Sequence, residues 1–188
     1  MDDIWHQYKA WLSANYPEAL AALNKGATES EICTLETAMQ ISLPEDYRSW
    51  LSIHNGQKPD YPPMLWGGEF YSTDRVARNW KTMVSLSETC VRPMTTVSEP
   101  DRYIIPAWWH RNWIPITSDQ CGNLECIDLA PGPRGTHGQI IDFDHETIDR
   151  TVISDSFGDW VADYVREVVA GAYLYSEDHG FLMRKDEL

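Results

Sequence analysis

The periodicity of the apolar residues changes partway along this chain, and that change constrains the fold more than any other feature. Up to about residue 102 the apolar spacing is helical; from about Tyr103 it becomes that of short strands. In the first part, Ile4, Tyr8, Trp11 and Leu12 share one face of a short N-terminal helix, and Pro17 opens a second that runs to Leu23. Thr28-Glu29-Ser30-Glu31 is a capping box, followed by a helix presenting Ile32, Leu35 and Met39. Leu43-Pro44-Glu45-Asp46 starts another, with its carboxylates near the positive end of the helix dipole. Tyr47, Trp50, Leu51 and His54 line its inner face, which makes His54 a packed histidine. The stretch from Gln57 to Tyr71 holds Pro59, Pro62, Pro63, Gly67 and Gly68 and is expected to be irregular. A capped helix with Val76, Trp80, Met83 and Val84 inward follows it.

In the second part, Ile104 to Pro106, Trp113 to Ile116, Leu124 to Leu129, Gly138 to Phe143 and Thr151 to Ser154 read as strands. Pro106 and Pro115 suggest strand ends or edges, and Gly122-Asn123 a turn. A helix from about Phe157, capped by Ser156, closes the series. Helices, then a sheet, then a helix define an α+β fold, a central antiparallel β-sheet flanked by helices. At 188 residues the chain is expected to be a single domain, 1–188, with an N-terminal helical extension over about 1–27.

Charge narrows the function classes. There are 15 Lys+Arg against 29 Asp+Glu, a net charge of −14. Phosphate backbones repel such a protein, so no direct nucleic-acid partner is expected. Up to Ser118 the chain has 14 acidic and 10 basic residues; beyond it, 15 acidic and 5 basic. The acidity of the last third suits either solvation or a face that meets a basic partner. No secretory signal and no membrane-spanning apolar run is visible, so a cytoplasmic location with no membrane partner is expected. Cys33, Cys90, Cys121 and Cys126 lack metal-ligand spacing, in keeping with reduced thiols. The terminal Lys185-Asp186-Glu187-Leu188 spells an ER-retention address, which is taken as coincidental.

Signatures of catalysis are missing: there is no phosphate loop, nucleophile elbow, zinc helix or zinc-deaminase pattern. The segment Ala130 to Gly138 reads as a tight strand connection rather than an anion cradle, because two prolines remove backbone donors. Asp142-Phe143-Asp144-His145-Glu146 is the densest set of possible ligands. With Phe143 inward, Asp142 and Asp144 would share the outer face as an acid/base or cation pair, a polar strand edge, or a contact surface. No further ligand set accompanies them, so no cofactor, metal or enzymatic activity is expected.

Three segments in order resemble the SUKH superfamily of fungal Smi/Knr cell-wall assembly regulators and bacterial relatives. The first is Leu35-Glu36, Ile41-Ser42-Leu43-Pro44-Glu45-Asp46-Tyr47-Arg48 and His54-Asn55-Gly56. The second runs from Trp113-Ile114-Pro115-Ile116 through Asp119-Gln120-Cys121-Gly122-Asn123 to Pro133. The third is Gly135 to Ile141 with the closing helix after Ser156-Phe157-Gly158-Asp159-Trp160. The resemblance implies an α+β sheet flanked by helices, no enzymatic activity, and one of two roles. One is an immunity protein that neutralises a cognate toxin or effector, basic and possibly nucleic-acid-targeting. The other is a scaffold or regulator in cell-wall or envelope signalling. Compact length, without the long extensions of the fungal regulators, and strong acidity favour the immunity role at this stage. Candidate partner-binding residues are the aromatic anchors Trp66, Trp108 and Trp109, in Pro-bounded segments, and the acidic Asp119, Asp142, Asp144 and Glu146.

Overall fold

A computed structural model describes residues 1–59, 64–65, 68–89, 102–147, 149–176 and 181–187. Four helices come first: α1 (Asp2–Asn15), α2 (Pro17–Ala22), α3 (Glu29–Met39) and α4 (Glu45–Ile53). In α1 the buried stripe is Trp5, Tyr8 and Leu12, while Ile4 and Trp11 lie at its margin. The stripe is rotated from the expected one because the Trp5 ring stacks on Trp50 of α4, centroids 3.9 Å apart. His54, just past α4, packs edge-on against Trp5, and its Nδ1 lies 2.6 Å from the Asn24 carbonyl oxygen. The capping box closes as its residues require: Glu31 N–H donates to Thr28 Oγ1 (3.2 Å) and Thr28 N–H to Glu31 Oε2 (2.7 Å).

The Leu-Pro-x-Asp-Tyr junction is a joint between helices. Glu36 of α3 accepts from Leu43 N–H (2.9 Å) and pairs with Arg48 (2.8 Å). Asp46 Oδ2 accepts from Gly158 N–H (2.8 Å), at the start of the closing helix 112 residues later. Gly56 sits at φ +68, and a Cβ there would lie 2.3 Å from Ser72 N, so only glycine lets these segments touch.

The sheet is antiparallel throughout, in the order β1-β2-β3-β4-β5: β1 (Glu69–Phe70), β2 (Trp113–Ser118), β3 (Leu124–Asp128), β4 (Gln139–Phe143) and β5 (Val152–Ser154). Trp113, Asp128 and Gln139 stand side by side across β2, β3 and β4. Buried Asp128 accepts from Trp113 Nε1 (3.0 Å), Gln139 Nε2 (2.9 Å) and Ala130 N–H (2.8 Å). Burial drives its pKa up, and these three donors pull it back.

Three expectations change here. Pro115 lies inside β2, an interior strand, rather than at an end. It is tolerated because β1 pairs only with Thr117 and Ser118, and the register shifts between Pro115 and Thr117. The stretch from Gln57 to Tyr71 contributes β1 itself, while Ile104 makes only an isolated bridge to Pro131.

α5 (Thr73–Thr89), whose first turn is met by Ser72 Oγ, packs against α3 and β2. After β5, α6 (Phe157–Val169) is capped by Ser156 and buries Phe157, Trp160, Val161, Tyr164, Val165 and Val168. Beyond it, β6 (Tyr173–Ser176) and β7 (Phe181–Arg184) form a second, two-stranded sheet that the helical reading of the last segment did not anticipate. The Tyr8 and Tyr164 hydroxyls both donate to the Met64 carbonyl oxygen, at 2.6 and 2.7 Å, tying α1 and α6 to the segment before β1. α1 is thereby built into the core, and the molecule is an α+β domain.

Candidate interaction surface at one end of the sheet

Leu124 at the start of β3 faces Phe143 at the end of β4, so the β2–β3 turn and the β4–β5 loop emerge side by side. The turn is held by Asp119, whose carboxylate accepts from Cys121 N–H (2.7 Å), Asn123 N–H (3.0 Å) and Asn123 Nδ2 (2.7 Å). Gln120 and Gly122 take positive φ, 64 and 112. A Cβ on Gly122 would sit 3.0 Å from His145 Nδ1, so the glycine lets the turn rest on that ring. Asn123 Oδ1 accepts from His145 N–H (3.3 Å) and lies 3.1 Å from its Nδ1, joining turn to loop.

Arg150 organises the loop from within. Its guanidinium lies 4.2 Å from the centre of the Phe143 ring and donates to the carbonyl oxygens of Asp144, Thr147, Asp149 and Trp108. Trp108 Nε1 donates to the His145 carbonyl oxygen (3.2 Å), and its ring meets Phe143 edge-on at 5.5 Å. Trp108 is therefore half-buried and fixed, with an open side on the same surface as the loop. Nothing in the sequence patterns singled out Arg150. Its position as a lone cation closing the acidic stretch Asp142 to Asp149 was the available signal.

The candidate contact residues separate in space. Asp119, Asp144, Glu146 and Trp108 come together on this surface, with Asp119 and Glu146 exposed. Asp142 lies on β4 and accepts from Thr151 N–H, whereas Asp144 falls beyond the strand end and accepts from Glu146 N–H (2.7 Å). The two carboxylates thus do not form the expected pair on one strand face. Trp109 is 6 % exposed and wedged between Trp113 and Phe143, so its ring belongs to the core. Trp66 lies outside the described residues.

Glu125 of β3, between Thr117 and Asp142 in register, was not foreseen. Its Oε2 is buried without a hydrogen-bond partner, and burial, with Asp119 and Asp142 nearby, raises its pKa to about 7. Among the described residues no group of three or more His, Cys, Asp or Glu could hold a metal ion, and no helix is long and apolar enough to cross a membrane. Cys33, Cys121 and Cys126 are free thiols; Cys90 lies outside the described residues.

An antiparallel five-stranded sheet between helices, ending in a hydrogen-bonded loop surface, defines the class of α+β domain to which the SUKH-like motifs pointed. The sequence matches the SMI1 / KNR4 family (SUKH-1) over residues 26–163, and the chain belongs to that family. It is 29% identical over 195 residues to the cell wall biosynthesis/cell cycle regulator smi1 of Schizosaccharomyces pombe, covering 97% of this chain and 39% of that protein. It is 27% identical over 209 residues to a glucan synthesis regulatory protein of Neurospora crassa (93% and 39%). It is 23% identical over 211 residues to the cell wall assembly regulator SMI1 of Saccharomyces cerevisiae (93% and 42%). The chain thus spans about two-fifths of the length of these relatives.

These matches correct the functional expectation. The immunity reading, with a cognate toxin as partner, gives way because the relatives are named as regulators of cell-wall and glucan synthesis. The compact length of the sequence was a poor guide, since the regulators align with this chain over nearly all of it.

Proposed function

We propose that this chain is a non-catalytic, protein-binding domain that regulates cell-wall or glucan synthesis from the cytoplasm, without a cofactor and without direct contact to nucleic acid. The observation that carries this reading is the alignment of 93–97% of the chain with proteins named for that regulation. The chemistry of the sheet end supports it. Asp119, Asp144, Glu146 and the open side of Trp108 form a contact face, with Asp142 bracing the loop from β4. The Asp119 and Asp144 carboxylates are engaged by backbone donors that fix their positions, so little of their side-chain freedom is lost when a partner docks. A half-buried tryptophan in an acidic rim is the composition of an interface anchor.

Removal of the gene from its source organism, followed by growth on wall-perturbing agents, tests the role. Hypersensitivity reversed by re-expression of this chain is expected, together with co-purification of several partner proteins. Unchanged wall resistance and an empty pull-down would overturn it.

A further inference from the structure

The β2–β3 turn also borders a cleft. With β1 and α5 it encloses about 370 Å³, lined by Glu69, Tyr71, Arg75, Asn79, Ser118 and Gln120. Gly122, which lies against the His145 ring, is part of the same wall, so the cleft adjoins the contact face described above. Local structure places each group. Glu69 of β1 stands opposite Ser118 of β2. Arg75 and Asn79, four residues apart on α5, share one helix face. Between them Tyr71 is the anchor: Asn79 Nδ2 donates to its hydroxyl (3.1 Å), and the Arg75 guanidinium lies 5.4 Å from its ring centre.

The walls are polar, and several of their groups are short of partners. Glu69 is only 9 % exposed, and a buried carboxylate is costly unless it is hydrogen-bonded. Among the described residues it meets one cation, Arg75 Nη2, at 3.5 Å, which is long for a hydrogen bond. Arg75 carries five N–H donors, and its side chain is 47 % exposed. Asn79 Oδ1 is buried with no hydrogen-bond partner. The formal charges of Glu69 and Arg75 cancel, so a cation or an anion entering here is attracted by one and repelled by the other.

A neutral group satisfies both when it accepts from Arg75 and donates to Glu69 through neighbouring atoms. A primary carboxamide does so: its oxygen and nitrogen lie about 2.2 Å apart, with one N–H on the oxygen's side. That spacing suits a carboxylate and a guanidinium held 3.5 Å from each other. A trans peptide bond points its N–H and C=O in opposite directions and reaches only one of them. The second N–H of the carboxamide is left for Asn79 Oδ1.

We propose that this cleft receives the side-chain carboxamide of an asparagine or glutamine from a partner protein docked on the adjoining contact face. The inference deepens the protein-binding reading by naming the group the partner presents, and it rests on that reading. Its test uses purified protein, so its failure leaves wall resistance and pull-down results standing.

Selection of a random dodecapeptide library on the purified chain and on Arg75→Ala tests it. Peptides retained by the wild-type chain and lost on Arg75→Ala share one asparagine or glutamine. In fluorescence anisotropy, leucine at that peptide position weakens binding at least about tenfold, the loss of hydrogen bonds to two charged groups. Against Arg75→Glu, where the cleft offers acceptors alone, the shared residue becomes lysine. Circular dichroism and melting show each variant folded. A charged residue shared by the wild-type binders, no shared residue that depends on Arg75, or indifference to leucine overturns the proposal. So does displacement of the peptides by sorbitol, which would assign the cleft to a polyol.

Discussion

The aromatic cluster between the helices and the loop surface at the sheet end both use tryptophan, and they use it differently. Trp5, Trp50, Phe70 and Phe157 form a continuous set of stacked and edge-on rings with almost no solvent exposure. Trp5 Nε1 and Trp50 Nε1 are buried without acceptors, so packing alone holds those rings. At the sheet end, Trp108 keeps an open side and is fixed by its Nε1 bond to His145 and by the Arg150 bond to its own carbonyl. One region gains stability from area removed from water; the other gains a defined shape from hydrogen bonds that leave the surface wet. Changes in the first should be read as folding free energy, and changes in the second as partner affinity.

The sharpest break of that contrast is Trp50→Ala, expected to cost about 3–5 kcal/mol in denaturant unfolding because it leaves a cavity among rings that cannot collapse. Trp108→Ala should cost about 1–2 kcal/mol or less, since only part of its ring is buried. Comparable losses for the two would erase the distinction.

Next in size is a pH effect at Glu125. Its folded pKa of about 7 lies above the usual 4.5, so the folded state holds the proton more tightly than the unfolded one. The linked stabilisation is complete below about pH 4.5 and is lost as pH rises through 7. Glu125→Gln, which stays neutral, should flatten stability between those values and leave the variant firmer at pH 8 by on the order of 2–3 kcal/mol. Unfolding curves at pH 5 and pH 8 check this; equal slopes for both proteins would contradict it.

Arg150→Leu keeps much of the packing on Phe143 but strands the carbonyls of Asp144, Thr147, Asp149 and Trp108. A loss of about 1–3 kcal/mol is expected, with faster amide exchange confined to residues 144–151. The smallest effect belongs to Thr28→Ala, which opens the capping box of α3 at a cost of about 1 kcal/mol and leaves the sheet end untouched.

Much of the fold was legible because its elements carry local signals. Thr28 with Glu31, Ser156 before Phe157, and the alternation through Glu125 to Leu129 each specify an element without help from distant residues. β1 was not legible: two residues pair with β2 only because the flanking chain is fixed by Met64, Gln57 and Gly68. The β6–β7 hairpin was hidden by a helical signal that stops at Val169 and by strands of four residues each.

At the candidate surface, the acidic stretch and Trp108 were visible from composition and proline-bounded position. Trp109 read the same way, because neighbouring tryptophans in one segment cannot be sorted into core and surface without the register of Trp113 and Phe143. Arg150 and Glu125 were missed for a related reason. Their roles depend on burial beside residues from other strands, which sequence spacing does not encode. The choice between immunity protein and wall regulator did not lie in the residues of the surface; the relatives, named as regulators, set the immunity reading aside.

Quantitative affinity purification from the source organism tests the central claim most directly, comparing the wild-type chain with a variant carrying Asp119→Lys, Asp144→Lys and Glu146→Lys and verified as folded. The wild-type chain should recover proteins of cell-wall synthesis or its control, and the variant should lose most of them. Equal recovery by both, or no specific partner for the wild-type chain, would contradict the account.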